Sequence, residues 1–594
     1  MDRKTVIVLI ISFALMLLWP HLVNRIYPPR PLPRQTNLLA VATNQLAAGS
    51  NGLSPMLVPP GSNLPPTGAC VPLVTSGEPE QLVVLENALA RYTFSSHGGG
   101  LKLVELKRYP ETVGCYRKGS TTNLASLNTA AAVPALALLG GEALQGDGVY
   151  TLSRSQDCVR AEKPLSNGLL VVKEFRLSSN YLLAVTVRLE NRSGQALTLP
   201  PQLWEVGTAT PMGPLDDASR LAVYWYNGAK REVSASEFSS TGFLCMPRTP
   251  PARIERGHND ILWASVHNQF FALAVLLPSN APAAQLTVLK TNLPPPSPAV
   301  LEIAPRANRN PFGLRAVLTY PALKLEAGQA WERQFHVYAG PKEYQLLVEI
   351  AAAFGNELDL LMDYGGFFGF FAKLLLLSMN FLHDTLKLSY ALAIIVITVL
   401  IKLLFWPLTQ ASTRSMKRMQ QLQPQMKVIQ EKYKDDPAKM NRKLMEFMKE
   451  HKVSPMAGCL PILIQLPVFF GFYKMILTAI ELRGARFLWA CDLTKPDTIL
   501  YVLGFPINPL PLIMGATMLW QSYLTPTSPG MDPVQQRLMK YVMPLFFLGI
   551  LYNFSAGLTL YWTVQNLLSI AQMKLTRAQE QAVAAKPAGP TKKK

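Results

Sequence analysis

The stretch LSYALAIIVITVLIKLLFWPL, residues 388–408, contains a single charged side chain, that of Lys402. A helix of this length rises about 30 Å, which matches the hydrocarbon core of a bilayer. Pro407 lies near the end of the apolar run and disfavours its continuation as a helix. We therefore predict a transmembrane helix over 388–408 and interpret the chain as an integral membrane protein.

A charge in mid-span costs at least ~3 kcal/mol, so Lys402 requires an explanation. One alternative is snorkelling, because Lys402 lies about six residues, or ~9 Å, from the end of its span. The other is a wet cavity, which Thr398 would help to hydrate from the same helix face, one turn earlier. The predicted spans offer no carboxylate partner, and this disfavours a proton relay or an ion-coupled transporter.

The length of the whole chain suggests several domains, and its composition fits a chain that is part membrane-embedded and part globular. The 594 residues are 16% charged and 49% hydrophobic, with a formal net charge of +19, whereas soluble domains have roughly 25% charged residues. None of the six cysteines forms a C-x-x-C pair, so we expect no metal site. An oxidising compartment would allow a disulfide among the first four, which are Cys70, Cys115, Cys158 and Cys245.

Residues 1–26 are predicted to form an uncleaved transmembrane anchor. Its apolar run ends at Trp19-Pro20-His21 without the small residues of a signal-peptidase site. Residues 27–79 are rich in proline and small polar residues, which is typical of a linker.

Residues 80–340 have the short alternating pattern of strands. Val185, Val187 and Leu189 alternate with polar residues, and 171–177 precedes this strand through the turn 178–180, which predicts a hairpin. We predict that this exported domain is a large antiparallel, all-β sandwich. Its histidines are isolated and no nucleophile–base–acid signature is present, so a binding or scaffolding role is favoured over an enzyme.

Helical periodicity returns in the region that follows, 341–387. We interpret it as a linker and an amphipathic helix, 358–373, lying in the membrane interface and interrupted at Gly365-Gly366.

The insertion 409–455 is predicted to be a cytoplasmic helical hairpin, because 409–453 contains eleven basic and five acidic residues. Asp436 and Pro437 are typical of a helix start. The methionines of the hairpin could pack its two helices together or form an adaptable apolar surface, and both alternatives stay open.

Three further segments complete the predicted bundle, namely 456–480, 499–524 and 541–573. The last contains no charged residue in 33 positions and would be about 50 Å long as one helix, so we divide it into two short spans at 553–557.

The predicted fold class is thus a multi-domain membrane protein with six transmembrane helices in total. Five of these form the core, 388–576, and both termini are cytoplasmic. The tail, 577–594, is predicted to be a disordered basic extension suited to anionic lipid or ribosomal RNA.

Several motifs resemble those of the YidC family of membrane protein insertases, in its Gram-negative form with a large periplasmic domain. In the bundle they are ALAIIVITVLIKLLFWPLT (391–409), Gln423-Pro424, SPMAGC (454–459), PILIQLPVF (461–469), MGATM (514–518), DPVQQ (532–536), Met543-Pro544, AGLTLYW (556–562) and Asn566. In the exported region the resemblance is looser: His97-Gly98-Gly99, Trp263, Phe270-Phe271 and Gly340-Pro341. It implies a β-sandwich similar in shape to sugar-binding folds, from which we infer no sugar binding.

The resemblance implies a hydrophilic groove open to the cytoplasm and to lipid. Lys402 stands where the family usually has arginine, which keeps the charge but loses the planar fork of donors. By position, the groove or the substrate path would be lined by Thr398, Gln465, Phe469, Met514 and Trp562. Ordinary helix packing is the alternative for the last three.

The function implied is that of an insertase and chaperone for integral membrane proteins in the bacterial inner membrane. Its partners would be nascent membrane proteins, the lipid bilayer, the Sec translocon with its accessory subunits, and the ribosome through the basic tail, but not DNA. We expect no catalytic residue, cofactor or metal. The alternatives are a polytopic small-molecule transporter and an anchored periplasmic enzyme.

Overall fold

The computed structural model describes residues 72–74, 77–113, 123–213, 216, 218–239, 249–303, 308–451, 453, 460–525 and 533–584. The predicted N-terminal anchor, nearly all of the proline-rich linker and the last ten residues of the tail lie outside these ranges. The chain divides into two compact units. One comprises Pro31–Thr112 and Arg117–Met362, and the other Met1–Arg30, Val113–Tyr116 and Asp363–Lys594.

The first unit is built mainly from β-strands. Its described strands are β1 (Leu82–Glu86), β2 (Ala90–Ser95), β3 (Gly100–Pro110), β4 (Leu124–Leu127), β5 (Leu138–Leu139), β6 (Thr151–Ser155), β7 (Cys158–Pro164), β8 (Leu169–Leu177), β9 (Leu182–Asn191), β10 (Leu197–Leu199), β11 (Gln202–Ala209), β12 (Ala222–Tyr226), β13 (Lys230–Ser234), β14 (Arg253–Arg256), β15 (Trp263–His267), β16 (Phe271–Leu276), β17 (Gln285–Asn292), β18 (Phe312–Tyr320), β19 (Leu323–Leu325) and β20 (Ala330–Pro341). The largest sheet has nine strands in the order β13-β12-β15-β16-β20-β9-β8-β7-β6. A five-stranded sheet, β14-β17-β18-β11-β5, and a four-stranded sheet, β1 to β4, accompany it. The β-rich architecture predicted for this region is confirmed.

The core of this unit lies between the sheets. Trp204 of β11 meets Phe335 of β20 at a ring-centroid distance of 5.8 Å, so the five-stranded sheet packs on the nine-stranded one. The predicted hairpin is β8–β9, with Leu177 opposite Leu183. Val185 and Val187 are buried as the alternation predicted. At the bulge in β11, a Cβ on Gly207 would lie 2.5 Å from Leu273, so only glycine permits this close approach.

The described part of the same unit also contains the α-helices α1 (Glu142–Gln145), α2 (Pro298–Ile303) and α3 (Tyr344–Phe354). Helix α3 ends at Gly355, which has the left-handed conformation. The Trp263 indole then donates a hydrogen bond of 2.7 Å to the Asn356 carbonyl. The β-rich unit therefore continues to Met362, past the boundary predicted at residue 340, because the segment after β20 packs back onto β15.

The second unit is helical in its described part. Its helices are α4 (Gly366–Leu386), α5 (Tyr390–Leu404), α6 (Trp406–Gln421), α7 (Gln423–Lys432), α8 (Pro437–Glu450), α9 (Leu460–Thr478), α10 (Pro509–Leu524), α11 (Pro533–Arg537), α12 (Met543–Leu551) and α13 (Ala556–Ala584), with a π-helical turn at Leu538–Val542. Two further strands, β21 (Leu500–Val502) and β22 (Phe505–Ile507), form an antiparallel pair.

The helix expected in the interface, 358–373, differs from the observed one. A short 3₁₀ turn, Leu358–Met362, comes first, and α4 then continues without interruption to Leu386. By length and composition, α4 is long and apolar enough to cross a membrane. The polar residues that suggested an interfacial helix, Asp359 and Asp363, lie before α4 begins.

The span predicted over 388–408 ends earlier than expected, at Leu404. Helices α5 and α6 are separated by a break at which the axis bends by 57°. Pro407 stands in the first turn of α6, where its missing N–H costs no hydrogen bond. Proline thus starts a second helix here rather than closing the span.

The predicted start of the span 499–524 and the predicted start of the disordered tail were also wrong. Residues 500–507 form the β21–β22 hairpin instead of the first turns of a helix, and α10 begins at Pro509. The tail predicted to be disordered from 577 is helical as far as Ala584. By contrast, the long uncharged segment is broken between α12 and α13, close to the predicted position.

Helices α6, α7 and α8 pack together through a small apolar cluster. Its buried members are Met419, Met426, Leu444, Met448 and Val453. The Asp436 carboxylate accepts a hydrogen bond of 3.0 Å from the Lys439 amide and caps α8, as predicted. Most of the methionines therefore pack the helices together, while Met445 remains exposed.

Candidate functional site

Lys402 lies on the last turn of α5 and points into the helical unit. Its side chain is 7% exposed, and its ammonium donates a hydrogen bond of 2.8 Å to the Ser569 hydroxyl of α13. No ion pair within the described residues includes Lys402. The group is therefore a buried cation with a neutral partner, which does not fit a lysine that snorkels to the end of its helix.

A row of polar groups continues from this lysine along α13. The Ser569 hydroxyl donates at 2.8 Å to the main-chain carbonyl of Gln565, one helical turn earlier. The Gln565 side-chain amide donates to Gln465 of α9 at 3.2 Å, and the Gln465 amide donates to the Tyr561 hydroxyl. Side-chain bonds thus join Lys402 to Ser569, and Gln565 to Gln465 and Tyr561, while the main chain of α13 connects these two groups. We call these five residues, which link α5, α9 and α13, the polar chain.

The two aromatic residues predicted to line the substrate path meet directly. The rings of Phe469 and Trp562 lie 4.8 Å apart at 82°, an edge-to-face arrangement. The ring of Phe547 in α12 also lies near Trp562, at a centroid distance of 5.7 Å. Phe469 lies one helical turn after Gln465 in α9, and Trp562 directly follows Tyr561 in α13. The aromatic pair is therefore adjacent to the polar chain.

The other two predicted residues are buried apart from this chain. The Thr398 hydroxyl donates to the Ile394 carbonyl of its own helix at 2.7 Å. Met514 is fully buried on α10, and its carbonyl accepts a hydrogen bond of 3.5 Å from Asn566. The Asn566 amide also donates to the Thr517 hydroxyl at 3.2 Å, and these two hydrogen bonds join α10 to α13.

The two ends of the bundle are held by different contacts. At the α5–α6 bend, the Gln572 amide donates to the Thr409 hydroxyl at 2.6 Å and to the Trp406 carbonyl at 3.3 Å. At the opposite end, the start of α13 is capped by loop carbonyls, since Ala556 N donates to Lys495 O at 2.7 Å. Gly557 N donates to Leu493 O at 2.8 Å, and a Cβ on this glycine would approach that oxygen to 3.0 Å.

The sequence did not indicate three members of the polar chain. Tyr561, Gln565 and Ser569 are separated by four residues each, so they share one face of α13. Polar side chains at positions i, i+4 and i+8 of an uncharged segment could have been recognised in the sequence. The contact with Lys402 could not, because 167 positions separate Lys402 from Ser569.

The second unit has the features of a helical membrane protein: a long apolar helix, a sharply bent helix pair and a buried lysine at the head of the polar chain. Here that bundle is accompanied by a large β-rich unit. The family described as "60Kd inner membrane protein" matches residues 381–583, and the family described as "YidC periplasmic domain" matches residues 82–377. The chain belongs to the YidC family of membrane protein insertases.

Relatives of similar length support this membership. The chain is 30% identical to the membrane protein insertase YidC of Syntrophus aciditrophicus (strain SB) over 588 residues, which cover 96% of this chain and 98% of the relative. It is 31% identical to that of Oleidesulfovibrio alaskensis over 601 residues, with the same coverage. A solved structure described as an active YidC insertase covers 86% of this chain and 95% of its own, at 19% identity and a TM-score of 0.32, which is too low to locate residues.

Proposed function

We propose that this protein inserts hydrophobic segments of nascent membrane proteins into the bacterial inner membrane and assists their folding. The observation that carries the proposal is the polar chain with Lys402 at its head. A cation buried among apolar helices without a carboxylate partner in the described residues retains its attraction for an acidic group. Family membership supports the same function.

The ammonium of Lys402 has three donors, and Ser569 accepts from one of them. We infer that an acidic residue flanking a client segment is drawn towards the remaining donors. The amides of Gln465 and Gln565 would replace part of the water lost by the client's polar flank. The apolar part of the client would move past Phe469 and Trp562 into lipid. This process forms and breaks no covalent bond and needs no cofactor or metal.

The topology we propose has six transmembrane helices with both termini in the cytoplasm. The six are the N-terminal anchor, α5, α9, α10, α12 and α13, whereas α4 would lie in the membrane interface. The basic insertion after α5 supports a cytoplasmic position for α6 to α8. Cys491, in the loop between α9 and α10, is disulfide-bonded, which supports a periplasmic position for that loop. The β-rich unit would share the periplasmic side as a binding or scaffolding domain.

The partners we propose are nascent membrane proteins and the surrounding lipid. Small clients would need no other factor, and larger ones would also require the Sec translocon with its accessory subunits. The basic C-terminal tail, which ends in Lys592-Lys593-Lys594, would contact the ribosome or anionic lipid.

The test is reconstitution of the full chain in protein-free liposomes with a short single-span client. We expect a protease-protected client fragment to form several-fold faster than in empty liposomes. Equal rates with and without the protein would overturn the proposal. A solute-uptake measurement on the same liposomes distinguishes the transporter alternative, for which coupled uptake would appear without client insertion.

A further inference from the structure

The β21–β22 hairpin exposes an apolar surface to which the described residues of the helical unit leave access. Leu500 pairs with Ile507 and Val502 with Phe505, so residues 503 and 504 alone form the turn. Leu500, Tyr501, Val502 and Phe505 are all exposed, and Leu503 at the tip is fully exposed. A two-stranded hairpin of this kind is marginal in water, and its apolar surface would favour aggregation.

The turn itself is unfavourable for its sequence. Leu503 has φ of 48° and Gly504 has φ of 78°, the left-handed pair of a two-residue hairpin turn. Asparagine, aspartate or glycine normally occupies the first of these positions, because a side chain such as leucine is strained there. The backbone strain at Leu503 is the same in any surroundings, whereas exposure of its apolar side chain is disfavoured specifically in water.

The same loop repeats this arrangement at a second turn. Phe487 and Ala490 form a bridge around a tight turn whose first residue, Leu488, has φ of 50° and is 75% exposed. Its neighbour Trp489 is partly exposed, and its indole donates a hydrogen bond of 2.8 Å to the Asp497 carboxylate. That carboxylate also accepts from the Leu510 amide at 2.7 Å, so the tryptophan is fixed at the start of α10.

Contacts at the base of the hairpin hold it in place. The Tyr552 hydroxyl donates to the Pro506 carbonyl at 2.7 Å, and the Asn508 side chain donates to the Tyr552 carbonyl at 2.8 Å. The rings of Phe505 and Tyr552 lie 5.2 Å apart. The hairpin is thus tied to the turn between α12 and α13, and its apolar tip is presented in a defined direction.

The chemistry of the surface indicates lipid as its occupant. No charged residue occurs between Thr498 and Met531, so burial of the hairpin desolvates no charge. The surface continues directly into α10, where Leu512 and Ile513 are also exposed. Trp489 and Tyr501 add the two aromatic residue types that are enriched at membrane interfaces.

We propose that the β21–β22 hairpin and the Leu488–Trp489 turn insert shallowly into the boundary between lipid headgroups and acyl chains, at the end of the bundle where α10 and α13 begin. The depth is shallow because the outer edges of a two-stranded hairpin carry backbone groups that need water. The hairpin would hold the starts of α10 and α13 at a constant depth while the opposite end of the bundle receives clients. The inference rests on the membrane location of the proposed function but not on client insertion.

The test is site-specific photo-crosslinking of the full chain in phosphatidylethanolamine–phosphatidylglycerol liposomes. A diazirine analogue of leucine is placed at Leu503, and adducts are identified by mass spectrometry. Two matched positions serve as controls: Leu82, exposed on the β-rich unit, and Leu512, exposed on α10. We expect phospholipid adducts at positions 503 and 512, at least five-fold above those at position 82.

Phospholipid adducts at 512 but only water adducts at 503, as at 82, would overturn the proposal while leaving a membrane-embedded bundle intact. Adducts of 503 with another protein or with a second copy of the chain would also overturn it. Absence of lipid adducts at all three positions would contradict the membrane location itself. Because Leu503 is fully exposed and the analogue has nearly the same shape, the labelled chain should fold normally.

Discussion

The ammonium of Lys402 and the hydroxyl of Ser569 form a hydrogen bond of 2.8 Å between α5 and α13. Since the Ser569 hydroxyl donates to the Gln565 carbonyl at 2.8 Å, it meets the lysine with a lone pair. The serine thus orients the cation without neutralising it. This is the arrangement expected of a group that must hold its position and still attract an acidic client.

Ser569→Ala should leave Lys402 charged but without its described acceptor. A hydrogen bond to a charged group contributes about 1.5–3 kcal/mol, of which mobile water would restore part. We expect insertion of clients with an acidic flank to slow about three- to ten-fold, measured as protease-protected client in proteoliposomes. Ser569→Thr, which keeps the hydroxyl, is the matched control. Equal rates for the alanine variant and the parent chain would show that the bond has no role.

Gln465→Leu should interrupt the polar chain in its middle, because Gln465 accepts from Gln565 and donates to Tyr561. We expect slower insertion of clients with polar flanks and little change for clients with short, uncharged flanks. The measurement compares the two client types in one liposome preparation. Gln465→Glu is a second informative variant, since an added carboxylate on the polar chain should compete with acidic clients. An equal effect on both client types would indicate general destabilisation instead.

Much of the helical unit was predictable because a bilayer-length apolar run leaves few alternatives. The sequence did not predict the 57° bend after Leu404 or the β21–β22 hairpin. Pro407 is compatible both with the end of a span and with the start of a new helix, and tertiary contacts decide between these outcomes. Tyr501 to Phe505 is as apolar as the helix that follows, so its composition does not reveal a hairpin.

Within the site, the sequence indicated Lys402 because an isolated charge is costly in an apolar span. Phe469 and Trp562 came from the family resemblance, and the structure places them in contact. Thr398 illustrates the opposite case. Its spacing placed it on the helix face of Lys402, yet its hydroxyl donates to its own helix, a common local alternative that spacing does not reveal.

Asp436→Ala should weaken the start of α8, because the carboxylate caps the Lys439 amide. Loss of an N-cap costs about 1 kcal/mol, which corresponds to roughly five-fold faster amide exchange in the first turn of the helix. Hydrogen exchange of the full chain, followed by mass spectrometry of 437–444, measures this. Asp436→Asn should retain most of the protection. Unchanged exchange in the alanine variant would mean that packing of α7 on α8 alone determines the stability of this end.

The β-rich unit should become more stable as pH rises above neutrality, owing to Lys173. Burial lowers the pKa of this lysine from 10.5 to about 7, although its ammonium donates to the Gly98 and Leu136 carbonyls at 2.8 and 2.9 Å. Between pH 7 and 10.5 the unfolded chain binds more protons than the folded one. The free energy of unfolding therefore rises with pH in this window, by at most ~1.4 kcal/mol per pH unit.

Hydrogen exchange of the β8 amides in the full chain, corrected for the intrinsic pH dependence of exchange, reports this stability. We expect protection to increase from pH 7 to 9 in the parent chain. Lys173→Met, similar in length and uncharged, should remove most of the slope whatever its effect on absolute stability. The same slope in both proteins would assign the pH dependence to other groups.

The central claim is that the charge of Lys402 assists insertion of acidic clients, and one set of liposomes tests it directly. Lys402→Arg keeps a cation at this position, whereas Lys402→Met keeps the side-chain length and removes the charge. The measurement is the initial rate of protease-protected client, for one client with an acidic external tail and one whose acidic residues are replaced by their amides. We predict that Lys402→Met loses at least ten-fold in rate with the acidic client and little with the amide client, while Lys402→Arg remains close to the parent chain. Equal rates for the methionine variant and the parent chain with the acidic client would contradict the account.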